Sequence, residues 1–130
     1  VLVDGKAARD IAQQIDQFSH VTFDGRSLQA QQALYVMLNK PAAVVSATKD
    51  AEHTTVIDIL RRDDREQLHI AGRLDFNSTG LLLLSNDGDW SRQLSLPERQ
   101  IPKVYTVTLA QPLNTDYVAA FAAGMHCLLY

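Results

Sequence analysis

Three things are scarce in this 130-residue chain, and each scarcity narrows what it can be. Cysteine occurs once, at Cys127, so no internal disulfide framework is expected and a reducing, cytoplasmic setting fits. Long apolar runs are missing: nothing approaches the stretch of about eighteen apolar residues that a membrane span needs, and no signal-peptide pattern is read at the start. Excess positive charge is missing as well. Twelve Lys and Arg stand against 15 Asp and Glu, a net −3 that by itself argues mildly against a nucleic-acid partner. Locally the balance reverses, because Arg92, Arg99 and Lys103 face only Glu98 between Trp90 and Ala110.

Several site chemistries are absent from the residue spacing. His20, His53, His69 and His126 show no metal-ligand spacing among themselves or with carboxylates, and the adjacent His126 and Cys127 point apart on a strand. The run Asn86-Asp87-Gly88-Asp89 lacks the alternating acids and distal Glu of a calcium loop. Neither a glycine-rich phosphate loop nor a dinucleotide fingerprint occurs.

What is present suffices for one modest globular domain, or one domain with a small appendage, at 46% apolar composition. The chain opens on Val1-Leu2-Val3 without Met and closes on the apolar run His126–Tyr130, so a piece cut from both sides is expected. The first segment repeats itself: Val1–Lys6 and Val21–Arg26 are each a short alternating strand followed by Asp-Gly and a base, a strong turn signal. Asp16–His20 reads as a loop and Ser27–Gln32 as a polar connector, which sets a boundary between segments 1–32 and 33–130.

Beyond the connector, Leu34–Leu38 and Ala43–Ser46 read as strands interrupted at Asn39-Lys40-Pro41. Thr55–Asp58 has capping-box spacing and predicts a short helix burying Val56, Ile57 and Leu60, ended by Arg61–Arg65. Leu68–Leu74 and Gly80–Ser85 are expected strands. Asp87 can cap a helix with Trp90 and Leu94 on one side, stopped by Pro97. Val104–Leu109 alternates at period two and predicts a half-buried strand. Asn114 or Thr115 starts a helix with Tyr117, Val118, Phe121 and Ala122 inward and Gly124 as its stop, and Met125–Tyr130 reads as the start of another strand. The sum is an α+β domain on a mainly antiparallel sheet with flanking helices.

The chemistry concentrates in the loop Arg73–Gly80, where an Arg, a carboxylate, an amide and two hydroxyls sit between two strands. Asp75 could be a nucleophile or a general base, or simply a turn Asp paired with Arg73. The density of hydrogen-bonding groups in Asn77-Ser78-Thr79 favours a preorganised site without deciding the matter. On a strand, Lys103 and Tyr105 would share a face, which suits a phosphate contact beside a base-stacking ring, or a solvated Lys beside a core-edge Tyr.

Taken in order, these motifs resemble a known family. Leu38-Asn39-Lys40-Pro41, Val44-Val45-Ser46, Thr55–Leu60, Gly72-Arg73-Leu74-Asp75 with Ser78–Gly88, and Lys103-Val104-Tyr105 are similar to the S4-domain-containing ribosomal pseudouridine synthases. Asp89-Trp90-Ser91 and Ile101-Pro102-Lys103 most resemble the branch that acts on small-subunit ribosomal RNA; the large-subunit branch is the neighbouring alternative. The resemblance implies that Asp75 is the catalytic aspartate of uridine isomerisation. It also implies that Arg73 orients Asp75 or holds the flipped nucleotide, and that Tyr105 stacks on the uracil. Lys103, Lys40, Asn77 and Thr79 would contact RNA. It implies a monomer with an rRNA or rRNA-assembly-intermediate partner, no membrane, and no cofactor. Residues 1–32 would be the C-terminal strands of an S4-like RNA-binding module with its linker, without that module's basic helices. Residues 33–130 would be the N-terminal part of the catalytic domain. The family's later Gly-x-Tyr/His-x-Gln-basic motif is not in this chain, and Ala42 stands where Gly is common. The chain alone is then expected to lack part of its site; a non-catalytic RNA-binding or ribosome-assembly fragment is the reading from another class.

Overall fold

The computed structural model describes residues 1–124. Met125–Tyr130, with the strand expected there and with His126 and Cys127, lies outside the described residues. Two antiparallel sheets account for the strands. The first holds β1 (Leu2–Val3), β2 (Lys6–Ala7), β3 (Val21–Phe23) and β4 (Arg26–Gln29) in the order β2-β1-β3-β4. Both Asp-Gly pairs turn hairpins with positive φ at both residues, 51° and 77° at Asp4-Gly5 and 48° and 76° at Asp24-Gly25. This double left-handed geometry matches the twist of the flanking strands, and it is why the repeated Asp-Gly is legible as a turn. Asp4 does more than turn: its carboxylate accepts the His20 N–H at 2.7 Å, locking β3 beside the first hairpin. The connector expected at Ser27–Gln32 is a strand up to Gln29, whose side-chain amide donates to the carbonyls of Asp16 and Ser19.

The second sheet is β5 (Tyr35–Lys40), β7 (Gly80–Ser85) and β6 (His69–Ala71), with β7 central. The register places Val36 opposite Leu84, Leu38 opposite Leu82 and Lys40 opposite Gly80. Because cross-strand partners share a face, Val36, Leu38, Leu82 and Leu84 present one apolar surface. Val44, Val56, Ile57, Leu60 and Leu68 pack under it and complete the core. The opposite face carries Met37 and Leu81, both exposed, with α1 (Gly88–Ser95) lying against β6 and β7.

Four expectations are corrected. Ala43–Ser46 is not a strand: only Val45 forms a bridge, to Thr55, because Ala43 turns the chain with φ 61°. Thr55–Leu60 makes the anticipated capping contacts, with Thr55 N–H and Oγ1–H both donating to Asp58 Oδ2 at 2.8 Å, but closes as turns and not as a helix. Four β-branched residues within five positions, Thr55, Val56, Ile57 and Ile59, disfavour helix, and the Leu60 N–H closes on the Ile57 carbonyl at 3.2 Å. The strand predicted over Leu68–Leu74 is confined to His69–Ala71, since Gly72 adopts φ 101° and ends the ladder. Val104–Leu109 forms no strand and has no ladder partner among the described residues, and Val104 is 93% exposed.

The helix α2 (Thr115–Ala123) forms as expected, with Asn114 Oδ1 accepting the Tyr117 N–H and Gly124 ending it at φ 87°. Its apolar side chains do not face inward, however: Tyr117, Val118 and Phe121 are all exposed. Their pattern requires a cover that the described residues do not provide. Among the described residues no helix is long and apolar enough to cross a membrane.

Two predictions follow from this packing. Leu84→Ala, at a fully buried position, should destabilise the fold by about 2–5 kcal/mol. Met37→Ala, at 79% exposure, should change it by less than about 0.5 kcal/mol; urea-unfolding midpoints check the contrast. The carboxyl of Asp87 is held below its ordinary value by the Trp90 N–H and then by the Tyr35 hydroxyl, and that of Asp58 by the N–H and hydroxyl of Thr55. Protonation therefore favours the unfolded chain. The stability these groups add is present above the ordinary carboxylate value and is lost as pH falls through the depressed folded values. Stability of the parent protein should drop more steeply on acidification than that of Asp87→Asn, measured by unfolding across an acid series.

Candidate active site

The Asp75 loop leaves β6 at Gly72 and re-enters the sheet at Gly80, whose φ of 127° suits glycine alone. Between these points the backbone is held by side chains from other segments. Lys40, the last residue of β5, is fully buried, and its Nζ donates to the carbonyls of Pro41 (2.9 Å), Phe76 (3.1 Å) and Ser78 (2.9 Å). Three acceptors engage three protons, which only the ammonium form has. Ser46 grips the residue before Asp75: its hydroxyl donates to the Leu74 carbonyl at 2.6 Å and accepts the Leu74 N–H at 3.1 Å. The Ala43 N–H reaches the Phe76 carbonyl at 3.0 Å, and the Ser78 N–H closes a turn on the Asp75 carbonyl at 3.1 Å. An edge-to-face contact between His53 and Phe76, 5.2 Å between centroids, packs the loop from the side.

Within this hydrogen-bonded backbone the side chains of Arg73, Asp75, Asn77 and Thr79 stay exposed. Arg73 and Asp75 are both exposed, and neither has an ion-pair partner among the described residues. The alternative in which Asp75 pairs with Arg73 is not formed among the described residues. Arg73, Asn77 and Thr79 line a cleft of about 770 Å³, together with Ala71, Leu81 and Leu83 of the sheet and Leu94 of α1. The same cleft is lined by residues 101–108, which bring in Lys103 and Tyr105. Asp75 is not part of that lining. Lys103 and Tyr105 thus join Arg73, Asn77 and Thr79 across 24 to 32 positions of sequence without the strand expected to carry them.

Lys40 is the correction. Expected as an RNA contact, it is instead a buried staple whose three protons all go to backbone carbonyls, so no phosphate can reach it. Ser46 escaped notice as a site residue because its partner lies 28 positions away and a Ser at the end of an apolar run carries no local signal. Among the described residues no three His, Cys, Asp or Glu side chains gather as a metal would need.

A fixed loop that displays an unpaired carboxylate and guanidinium beside a cleft with an amide, a hydroxyl, an ammonium and a phenol is equipped to bind a polar, planar, anionic substrate. Comparison with known proteins points the same way. The RNA pseudouridylate synthase family model matches residues 34–121. The chain is 52% identical over 125 residues to the ribosomal small subunit pseudouridine synthase A of Pseudomonas aeruginosa, covering 95% of this chain and 54% of that protein. It is 40% identical over 126 residues to the proteins of that name in Yersinia pestis and Escherichia coli K12, in each case 96% of this chain and 54% of the relative. A crystal structure of a pseudouridylate synthase superposes with a TM-score of 0.67 at 34% identity, covering 96% of this chain and 54% of that one. The chain spans about half the length of the curated relatives it matches. It belongs to the RNA pseudouridylate synthase family.

Proposed function

We propose that the protein carrying this chain isomerises a specific uridine of small-subunit (16S) ribosomal RNA to pseudouridine, with Asp75 as the catalytic carboxylate. The observation that carries the reading is the Asp75 loop itself: its backbone is fixed by Lys40 and Ser46, and its carboxylate is left exposed and unpaired among the described residues. Relatives named for small-subunit rRNA, at 52% and 40% identity, support the choice of substrate. In this reading the target nucleotide leaves its stack and enters the cleft. Attack of Asp75 on C1′ displaces the uracil at N1, the uracil turns, and its C5 forms the C5–C1′ bond as the carboxylate leaves; where Asp75 instead adds to C6, that C6–O bond breaks again before the product departs. The C5 proton is then lost and N1 takes up a proton, so the overall change is an isomerisation that needs no redox partner. Tyr105 stacks on the uracil and assists removal of the C5 proton, and Arg73 holds the flipped nucleotide through charge-assisted hydrogen bonds. Lys103, Asn77 and Thr79 contact the surrounding RNA.

The remaining assignments belong to the same proposal. Residues 1–32 are read as the C-terminal strands and linker of an S4-like RNA-binding module, and 33–130 as the N-terminal part of the catalytic domain. The protein works as a monomer in the cytoplasm on rRNA or its assembly intermediate, without a cofactor.

Pseudouridine mapping of rRNA treated with the full-length protein tests the reaction. Asp75→Asn should bind RNA and fold normally but make no product; modification that persists in this variant would remove Asp75 from its role. Lys40→Met leaves three carbonyls of the loop without their donor, and each such loss costs roughly 1–3 kcal/mol. Turnover should fall at least about tenfold with RNA affinity nearly intact, because loop geometry is what a positioned nucleophile depends on. Single-turnover kinetics beside equilibrium binding would separate the two effects.

A further inference from the structure

A second depression, of about 550 Å³, lies on the other side of the Arg73 position, lined by Ser46–Lys49, Ile70, Gly72, Arg73 and Ser95. We propose that it is a subsite for a backbone phosphate of the RNA, held by Lys49, Arg73 and Thr48. The inference rests on the reading of the chain as part of an RNA-modifying enzyme and adds a binding position that the cleft does not contain.

Charge is the first argument. In a chain with net charge −3, two cations share one cavity, and neither has an ion-pair partner among the described residues. Asp50, the carboxylate next to Lys49 in sequence, is engaged elsewhere: its Oδ1 accepts the N–H groups of Glu52 at 2.9 Å and His53 at 2.8 Å. Two like charges facing the same space repel until an anion occupies it.

Donor chemistry is the second. Of the three hydroxyls in the lining, Ser46 gives its proton to the Leu74 carbonyl and Ser95 gives its proton to the Ser91 carbonyl at 2.9 Å. Thr48 keeps its proton free among the described residues. The groups left available are an ammonium, a guanidinium and a hydroxyl, a donor-rich set that suits the acceptor-only oxygens of a phosphate diester. Continuity is the third. Arg73 lines both this depression and the cleft with Tyr105, so one strand of RNA can place a base in the cleft and a neighbouring phosphate here.

Fluorescence anisotropy of the full-length protein with an rRNA fragment containing the target uridine tests the subsite over a chloride series. Lys49→Ala should raise Kd several-fold and reduce the slope of log K against log salt by roughly 0.7, the value for one phosphate on a single strand. Lys49→Arg should restore both. Arg62→Ala, whose guanidinium already pairs with Asp64 at 2.8 Å, should change neither. A Kd and slope equal to those of the parent would overturn the subsite, as would a change in Kd without a change in slope. If the parent binds RNA but forms no pseudouridine, the reaction assignment fails while the binding series still decides the subsite.

Discussion

The geometry around Asp75 depends on a buried ammonium group, that of Lys40, which has no counter-ion among the described residues. Removing Lys40 from water costs several kcal/mol, and hydrogen bonds from a charged donor return roughly 1.5–3 kcal/mol each. With three such bonds, to Pro41, Phe76 and Ser78, the balance is met only if all three are made together. Losing one carbonyl from reach would strand the charge. The Asp75 loop is therefore selected as a unit: its carbonyls must converge on one point, and that requirement fixes the backbone on either side of Asn77. The central strand shares the constraint, because Lys40 sits opposite Gly80 in the β5–β7 register, so a slip of the sheet would pull the staple from the loop.

Ser46 completes the hold from the other flank. Its hydroxyl both donates to and accepts from Leu74, which satisfies the backbone of that residue where the β6 ladder has already ended. Buried backbone groups outside regular structure need such partners. The loop thus combines two supports that work through backbone atoms alone. No side chain among Arg73, Asp75, Asn77 and Thr79 is used up in holding it, and all four stay exposed.

What could be read from the residues, and what could not, divides by the range of the interactions. Asp4-Gly5 and Asp24-Gly25 announced hairpins because the turn is decided within two residues. Asp87 and Asn114 announced helix starts because each caps the third residue after it. The α+β class followed from the same local signals, and the Asp75 loop stood out through its polar density between two apolar runs. Thr55–Asp58 shows the limit: the capping contacts form as read, yet no helix continues from them, and the β-branched run closes as a turn with the Leu60 N–H on the Ile57 carbonyl. Val104–Leu109 fails for the complementary reason. Alternation prescribes two faces for a strand, but an edge to pair with must come from elsewhere, and the described residues do not supply one. Lys40 was misread because lysine is ordinarily a surface cation, and only contacts 36 and 38 positions away reveal it as a core group.

This separation of support from chemistry bears on how such a site can work. A nucleophilic carboxylate is most useful when its backbone is immobile and its oxygens are unengaged until substrate arrives, since hydrogen bonds already made would have to be broken first. An Arg73–Asp75 ion pair would have oriented the carboxylate at the expense of its availability, and at this exposure it would have contributed little stability. With the loop anchored from beneath by Lys40 and Ser46, that pairing is unnecessary. Arg73 is left to face the solvent between two cavities that share it, one holding Tyr105 and the other Lys49. In the proposed reaction the guanidinium would meet the substrate's anionic backbone before the carboxylate meets the sugar, so binding and chemistry fall to neighbouring residues on one fixed loop.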